Sequence, residues 1–242
     1  MDVRQGSAQS GIFYGVGVGP GDPELITLKA LRILQQTPVV CVPKSREDGE
    51  SYALAFLSRL IDLRRQQLLE LVFPMTRERA VLEEHWAAAL ERVLVPLRRG
   101  LDVAFVTEGD PLIYSTFIHL YGLMQLRHPD IRIEVVPGVS SINGCAAAAG
   151  VPLVDGAERL AVLPAVYESE QLLGTLRQFD TVVLLKVNRA FGRVLESLEE
   201  LNLASRAVYV SRCGSPEQEV VRDVRTLRDR KLDYLSLVIV RK

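Results

Sequence analysis

Short β-branched runs alternate with longer helical periodicities through the first half of the chain, and no other feature constrains the fold as tightly. Residues 12–18, 39–42, 68–73, 103–106 and 131–136 have the length and apolar character of strands. Between them, residues 25–34, 52–63, 77–97 and 113–126 carry helical spacing. In the longest of these, Leu82, Trp86, Ala89, Val93 and Leu97 recur every three or four residues and share one face, and Gly100 follows as a stop. Parallel neighbouring strands need crossovers of helix length, so five strands alternating with four helices predict a mostly parallel α/β sheet.

The Pro137-Gly138 pair interrupts this series and sets the expected boundary between an N-terminal α/β domain, 1–137, and a second α/β domain, 138–242. The second half predicts a helix at 140–149, strands near Leu160, at 182–185 and at 207–210, and a helix at 189–201. Its last two apolar runs, 219–224 and 234–240, leave no room for a helix between them. An antiparallel, hairpin-like ending and a mixed sheet are expected there.

Composition narrows the function classes. The chain is 48% apolar and 24% charged over 242 residues, an ordinary globular balance. Its 29 basic and 30 acidic residues give a net charge of −1, so no global positive field is available for nucleic acid, and an anionic ligand must be met by a local basic cluster. Cys41, Cys145 and Cys213 are an odd, widely spaced set without a C-x-x-C pair, which reads as reduced buried thiols in a cytoplasmic protein. The polar first residues and the lack of an apolar run near about 18 residues predict a soluble protein with no membrane association. His85, His119 and His128 lack ligand spacing, so no metal is expected.

Three segments carry chemistry. Residues 14–27, YGVGVGPGDPELIT, run from a strand through a glycine-rich turn into a helix. The dinucleotide fingerprint fails, because Pro20 and Asp22 stand where its third glycine belongs, and no Gly-Lys-Ser/Thr exists for a phosphate loop. Asp22 as an N-cap with Pro23 at the first helical position accounts for the same turn. Residues 106–116, VTEGDPLIYST, repeat the Gly-Asp-Pro element after another strand, and Asp110 before Pro111 again reads as a helix cap. Ligands bind at the carboxyl edge of open parallel sheets, so two such turns favour one shared crevice. Residues 136–152, VPGVSSINGCAAAAGVP, place Ser140 and Ser141 before a helix of very small side chains, either as caps or as ligand hydroxyls. Lys44 and Arg46 after one strand, and Lys186 and Arg189 after another, are the basic-patch candidates.

Taken in order, GVGPGDPELIT, TEGDP and VPGVSS, continued by LLKVNR, SRCGSPEQEVV and the terminal YLSLVIV, resemble the class III, tetrapyrrole-type S-adenosylmethionine methyltransferases of the cobalamin pathway. TEGDPLIYST with VPGVSSINGCAAAAGVPL and LAVLPA is most similar to the branch that methylates C20 of precorrin-2 or cobalt-factor II. Relatives that methylate uroporphyrinogen usually carry G-G-D-P where this chain has Glu108-Gly109-Asp110-Pro111.

The resemblance implies a homodimer of two-domain subunits, S-adenosylmethionine folded in a cleft between the domains, and a tetrapyrrole trough on the first. Carried over by motif, the cofactor contacts are Glu108, Gly109, Asp110, Ile113, Ser140 and Ser141, with Leu185, Cys213 and Ser236 from the second domain. Leu185 stands where relatives often place methionine and keeps the adenine wall apolar. Pro20, Gly21 and Asp22 form the trough-facing turn, and Lys44 and Arg46 are assigned to the substrate carboxylates, for which arginine is the better geometric match.

A sulfonium methyl is already activated, so catalysis needs mainly alignment with the attacking carbon, worth about 7 to 11 kcal/mol. A base is required only for the departing C20 proton; Asp110, Glu108 and Tyr114 are the candidates, with Tyr114 also facing the substrate. The alternatives are the same fold acting on uroporphyrinogen, on another corrin intermediate or on RNA ribose, or serving as a non-catalytic binder.

Overall fold

The computed structural model describes residues 10–48, 52–164 and 169–242. Ala165, the last residue of the LAVLPA motif, lies outside them. The chain divides into two compact units, Met1–Ser140 and Ser141–Lys242.

The first unit runs β1 (Phe13–Gly17), α1 (Leu28–Gln36), β2 (Val39–Lys44), α2 (Tyr52–Leu57), β3 (Gln67–Val72), α3 (Arg79–Arg98), β4 (Val103–Thr107), α4 (Phe117–Arg127) and β5 (Ile133–Val136). Its sheet has the order β3-β2-β4-β1-β5, and every pairing is parallel. All five strands therefore end on one edge. Alternation along each strand sends side chains to opposite faces. Phe13, Cys41, Leu71, Val103 and Phe105 pack with Leu90, Val93, Leu97, Phe117 and Leu120 of α3 and α4. Val16, Val40, Val42, Ala104 and Val106 pack with Ala30, Leu34, Phe56 and Leu57 of α1 and α2 on the other face. Burial on both faces explains why these strands read as continuous apolar runs. Cys41 sits at the centre, where burial pushes its thiol far above the ordinary range and leaves it a small apolar side chain.

The second unit comprises α5 (Ser141–Ala149), β6 (Leu160–Pro164), α6 (Ser169–Gln178), β7 (Thr181–Leu185), α7 (Phe191–Glu200), β8 (Ala207–Ser211), β9 (Glu219–Val221) and β10 (Ser236–Arg241). Its sheet is mixed, in the order β6-β7-β10-β8-β9. Helices α6 and α7 cover one face and α5 the other.

Several boundaries differ from the sequence reading. The expected helix at 52–63 ends at Leu57, and a short 3-10 turn at Leu63–Arg65 precedes β3. Helix α6 was absent from that reading. The last two strands do not form a hairpin: β10 inserts between β7 and β8, antiparallel to both, while β9 pairs only with β8 at the edge. Its run Ser236 to Val240 is buried throughout, which a central strand requires and an edge strand does not.

Candidate active site

Motif loops follow β4, β1 and β5, three adjacent strands, so their carboxyl ends deliver all three loops to one edge of the first unit. The loops then lock together through backbone. The Val18 amide donates to the Thr107 carbonyl at 3.0 Å, and Gly19 and Gly109 exchange hydrogen bonds of 3.4 and 2.8 Å. A Cβ on Gly17 would lie 2.6 Å from the Gly109 carbonyl oxygen and 2.7 Å from the Gly138 nitrogen; one on Gly138 would lie 2.1 Å from that same oxygen. No side chain fits at either position, which is the physical reason for the glycines. Gly138, just past the expected break after 137, is thereby tied to the first unit.

Asp110 completes the junction. Its Oδ1 accepts from the Leu112 amide at 2.9 Å and its Oδ2 from the Gly138 amide at 3.1 Å, so one carboxylate bridges the second and third loops. This corrects the helix-cap reading. Helix α4 starts only at Phe117, whose amide donates to Ser115 Oγ at 3.1 Å, and Ser115 Oγ in turn lies 3.0 Å from Thr107 Oγ1. The intervening residues form an exposed apolar step: Leu112 is 50% accessible, Ile113 41% and Tyr114 46%. Tyr114 holds φ at 51°, a left-handed conformation unfavourable for a bulky residue. Glu108 is exposed and Gly109 buried.

In the first loop Asp22 caps as expected, its Oδ1 accepting from the Glu24 amide at 2.9 Å with Pro23 next, although the turn it starts is 3-10 and α1 begins later, capped by Thr27. Pro20, Gly21 and Asp22 are half-buried beside the junction. Lys44 and Arg46 leave the same sheet edge but differ. Lys44 is only 11% accessible and its Nζ lies 2.9 Å from Glu70 and 2.5 Å from the Glu47 carbonyl oxygen. Arg46 is exposed and has no ion pair among the described residues.

Ser140 is buried at the end of the first unit and Ser141 opens α5 in the second. Within the second unit, Leu185, Cys213 and Ser236 come together although the sequence separates them widely. Leu185 pairs with Leu237, Ser236 pairs with Ser211, and Cys213 lies just past β8. The residues after β7 and β8, Lys186 and Arg212, both adopt left-handed backbone, with φ of 58° and 47°. Their amides donate to the Ser236 and Leu235 carbonyls at 2.9 and 2.8 Å. Lys186 Nζ lies 5.6 Å from the Tyr234 ring centroid, and Arg212 Nε lies 2.7 Å from Asp233. Lys186 and Arg189 thus belong to the second unit and Lys44 and Arg46 to the first. Two of the dispersed cysteines also meet: the Cys145 thiol is hydrogen-bonded to Cys213, and that bond together with burial pushes it above the ordinary range. All three cysteines are buried thiols outside any disulfide. The strained pair at 186 and 212 carries no signature in sequence, since it arises from where β10 enters the sheet.

Among the described residues no cluster of three metal-ligating side chains occurs, and no helix is long and apolar enough to cross a membrane. His119 instead stacks on Trp86 at 3.8 Å between ring centroids, and burial lowers its pKa.

Comparison with known proteins places this arrangement. The chain is 34% identical to a probable cobalt-precorrin-2 C(20)-methyltransferase of Methanocaldococcus jannaschii, over 95% of both chains. It is 33% identical to a precorrin-2 C(20)-methyltransferase of a Sinorhizobium species, again over 95% of each. Among solved structures, a cobalt precorrin-4 methyltransferase superposes with a TM-score of 0.71 at 25% identity, covering 98% of this chain and 97% of the other. A uroporphyrin-III C-methyltransferase of Thermus thermophilus, complexed with S-adenosylhomocysteine, gives 0.68 at 25% identity over 96% and 98%. Residues 13–227 match the family model for tetrapyrrole (corrin/porphyrin) methylases, and the chain belongs to that family.

Proposed function

We propose that this protein transfers a methyl group from S-adenosylmethionine to C20 of precorrin-2 or cobalt-factor II, in cobalamin biosynthesis. The observation that carries the reading is the convergence of three ordered motifs on the carboxyl edge of β4, β1 and β5, in a chain matching relatives of that named activity end to end.

The residues fit the donor. The glycine junction brings bare backbone to the edge, and Glu108, Gly109, Asp110, Ile113 and Ser140 surround it in the first unit. Ser141, Leu185, Cys213 and Ser236, small or apolar residues of the second unit, are assigned to the donor on the motif resemblance. The donor supplies a sulfonium methyl that needs no further activation. The chain's task is then to orient and to exclude water, the contribution that held geometry makes best. Asp110 is a positioning group in this account, because both of its oxygens already accept backbone amides. Removal of the C20 proton falls to Tyr114 or Glu108, both at the accessible face of the same loop. Pro20, Gly21 and Asp22 border the tetrapyrrole trough, and Arg46 meets its carboxylates. Lys44 acts as a strut for Arg46's loop rather than as a substrate cation, since Glu70 already neutralises it. The active form is a homodimer, which sedimentation equilibrium will test.

The deciding experiment is a paired anaerobic assay with metal-free precorrin-2 and cobalt-factor II, following mass gain and the labelled ring position. Addition of one methyl at C20 is expected with at least one of them. Folded protein that binds S-adenosylhomocysteine but methylates neither, or methylates another position, overturns the reading.

A further inference from the structure

Arg77 belongs to none of the sequence motifs, yet topology sets the segment that carries it next to the one that carries Arg46. Strands β2 and β3 are parallel neighbours paired from Val39 with Gln67 to Lys44 with Val72, and the Phe73 amide extends the ladder by donating to the Lys44 carbonyl at 2.8 Å. The segments leaving these strands therefore emerge side by side, with Arg46 on one and Arg77 on the other. Charge bookkeeping at this edge separates the cations. Lys44 is consumed by Glu70 and the Glu47 carbonyl. Arg46 and Arg77 are both exposed, and neither has an ion pair among the described residues.

The segment carrying Arg77 is ordered by its own bonds. Thr76 Oγ1 accepts from the Glu78 amide at 3.1 Å, a turn that holds Arg77 between them just ahead of α3. Met75, immediately before it, is 58% accessible. An exposed apolar side chain followed by a guanidinium suits a flat apolar ring with carboxylates on its rim, and a guanidinium pairs with a carboxylate through two parallel hydrogen bonds.

Resting on the tetrapyrrole reading above, we propose that Arg77 is a substrate-binding residue which, with Arg46, clamps carboxylates of the macrocycle at the end of the β2–β3 pair. It determines affinity for the acceptor and makes no contact with the methyl donor.

The test uses full-length protein with precorrin-2 and cobalt-factor II. Arg77→Ala should raise KM for the tetrapyrrole about ten- to a hundredfold, the range for a lost charged hydrogen-bonded pair, with kcat and the S-adenosylhomocysteine Kd within about twofold of wild type. Arg77→Lys should recover only part of the loss. Arg99→Ala is the control: an exposed arginine at the opposite end of the parallel strands, preceding β4, whose replacement should leave all three quantities unchanged. An unaltered tetrapyrrole KM in Arg77→Ala, or an equal loss of donor and acceptor affinity, overturns the proposal. Wild-type protein that binds S-adenosylhomocysteine but no tetrapyrrole refutes the acceptor reading itself, and this proposal with it.

Discussion

The two units build their loop-bearing sheet edges by different means. In the first, three loops interlock through backbone at Gly17, Gly19, Gly109 and Gly138, with one carboxylate as the fastener. In the second, the edge is built where β10 enters between β7 and β8, and the cost appears as left-handed backbone at Lys186 and Arg212. The first solution demands particular residue types, because only glycine fits; the second demands a particular topology and tolerates many residues. One edge is therefore rigid in sequence and the other in strand order.

Gly138→Ala strikes directly at the glycine-built edge. A methyl group 2.1 Å from the Gly109 carbonyl must push two loops apart, so a loss of about 3 kcal/mol or more is expected in chemical unfolding, with donor binding abolished. A variant with unchanged midpoint and donor affinity would show that the junction is not tight. Next is Asp110→Asn. The amide side chain can present an acceptor to only one of the two backbone amides, and its NH2 group then faces the other donor. A weakening of S-adenosylhomocysteine binding by about tenfold or more is expected, with stability lowered by about 1 to 3 kcal/mol. If Asp110 acted only as a proton acceptor, kcat would collapse while Kd and stability stayed put.

Two smaller effects sharpen the contrast. Lys186→Gly removes a left-handed penalty of about 1 to 2 kcal/mol, partly offset by the lost contact with Tyr234, so unfolding should show net stabilisation of about 1 kcal/mol or less. Destabilisation would mean that the lysine side chain, not the backbone, holds this corner. Gly122→Ala, inside α4 with nothing within 4 Å of a new Cβ, should stabilise by about 0.5 to 1 kcal/mol. Set against Gly138→Ala, it separates a glycine required by contact from one that is merely tolerated.

The same contrast explains what the sequence disclosed. The parallel sheet and the convergence of the motif loops were legible, because apolar runs and Gly-Asp-Pro turns express backbone demands as residue types. Asp110 was read as a helix cap because an aspartate before proline usually caps; that its second oxygen crosses to Gly138 depends on the order of β4, β1 and β5. Ile113 and Tyr114 were taken into α4 because they continue helical spacing, yet with Leu112 they form the exposed step. Helix α6 escaped notice because Leu172 and Leu176 are its buried anchors in a mostly polar segment. The insertion of β10 was illegible, since a short apolar run does not state its neighbours. Arg77 was passed over for the same reason: it gains meaning only from the pairing of β2 with β3.

Amide hydrogen exchange, with and without S-adenosylhomocysteine, reads whether the three loops hold one ligand. Slowed exchange is expected in peptides covering residues 17–22, 107–115 and 136–142 together when the ligand is added, as one bound molecule gripped by all three loops requires. Saturable binding that leaves these three segments unchanged would contradict it.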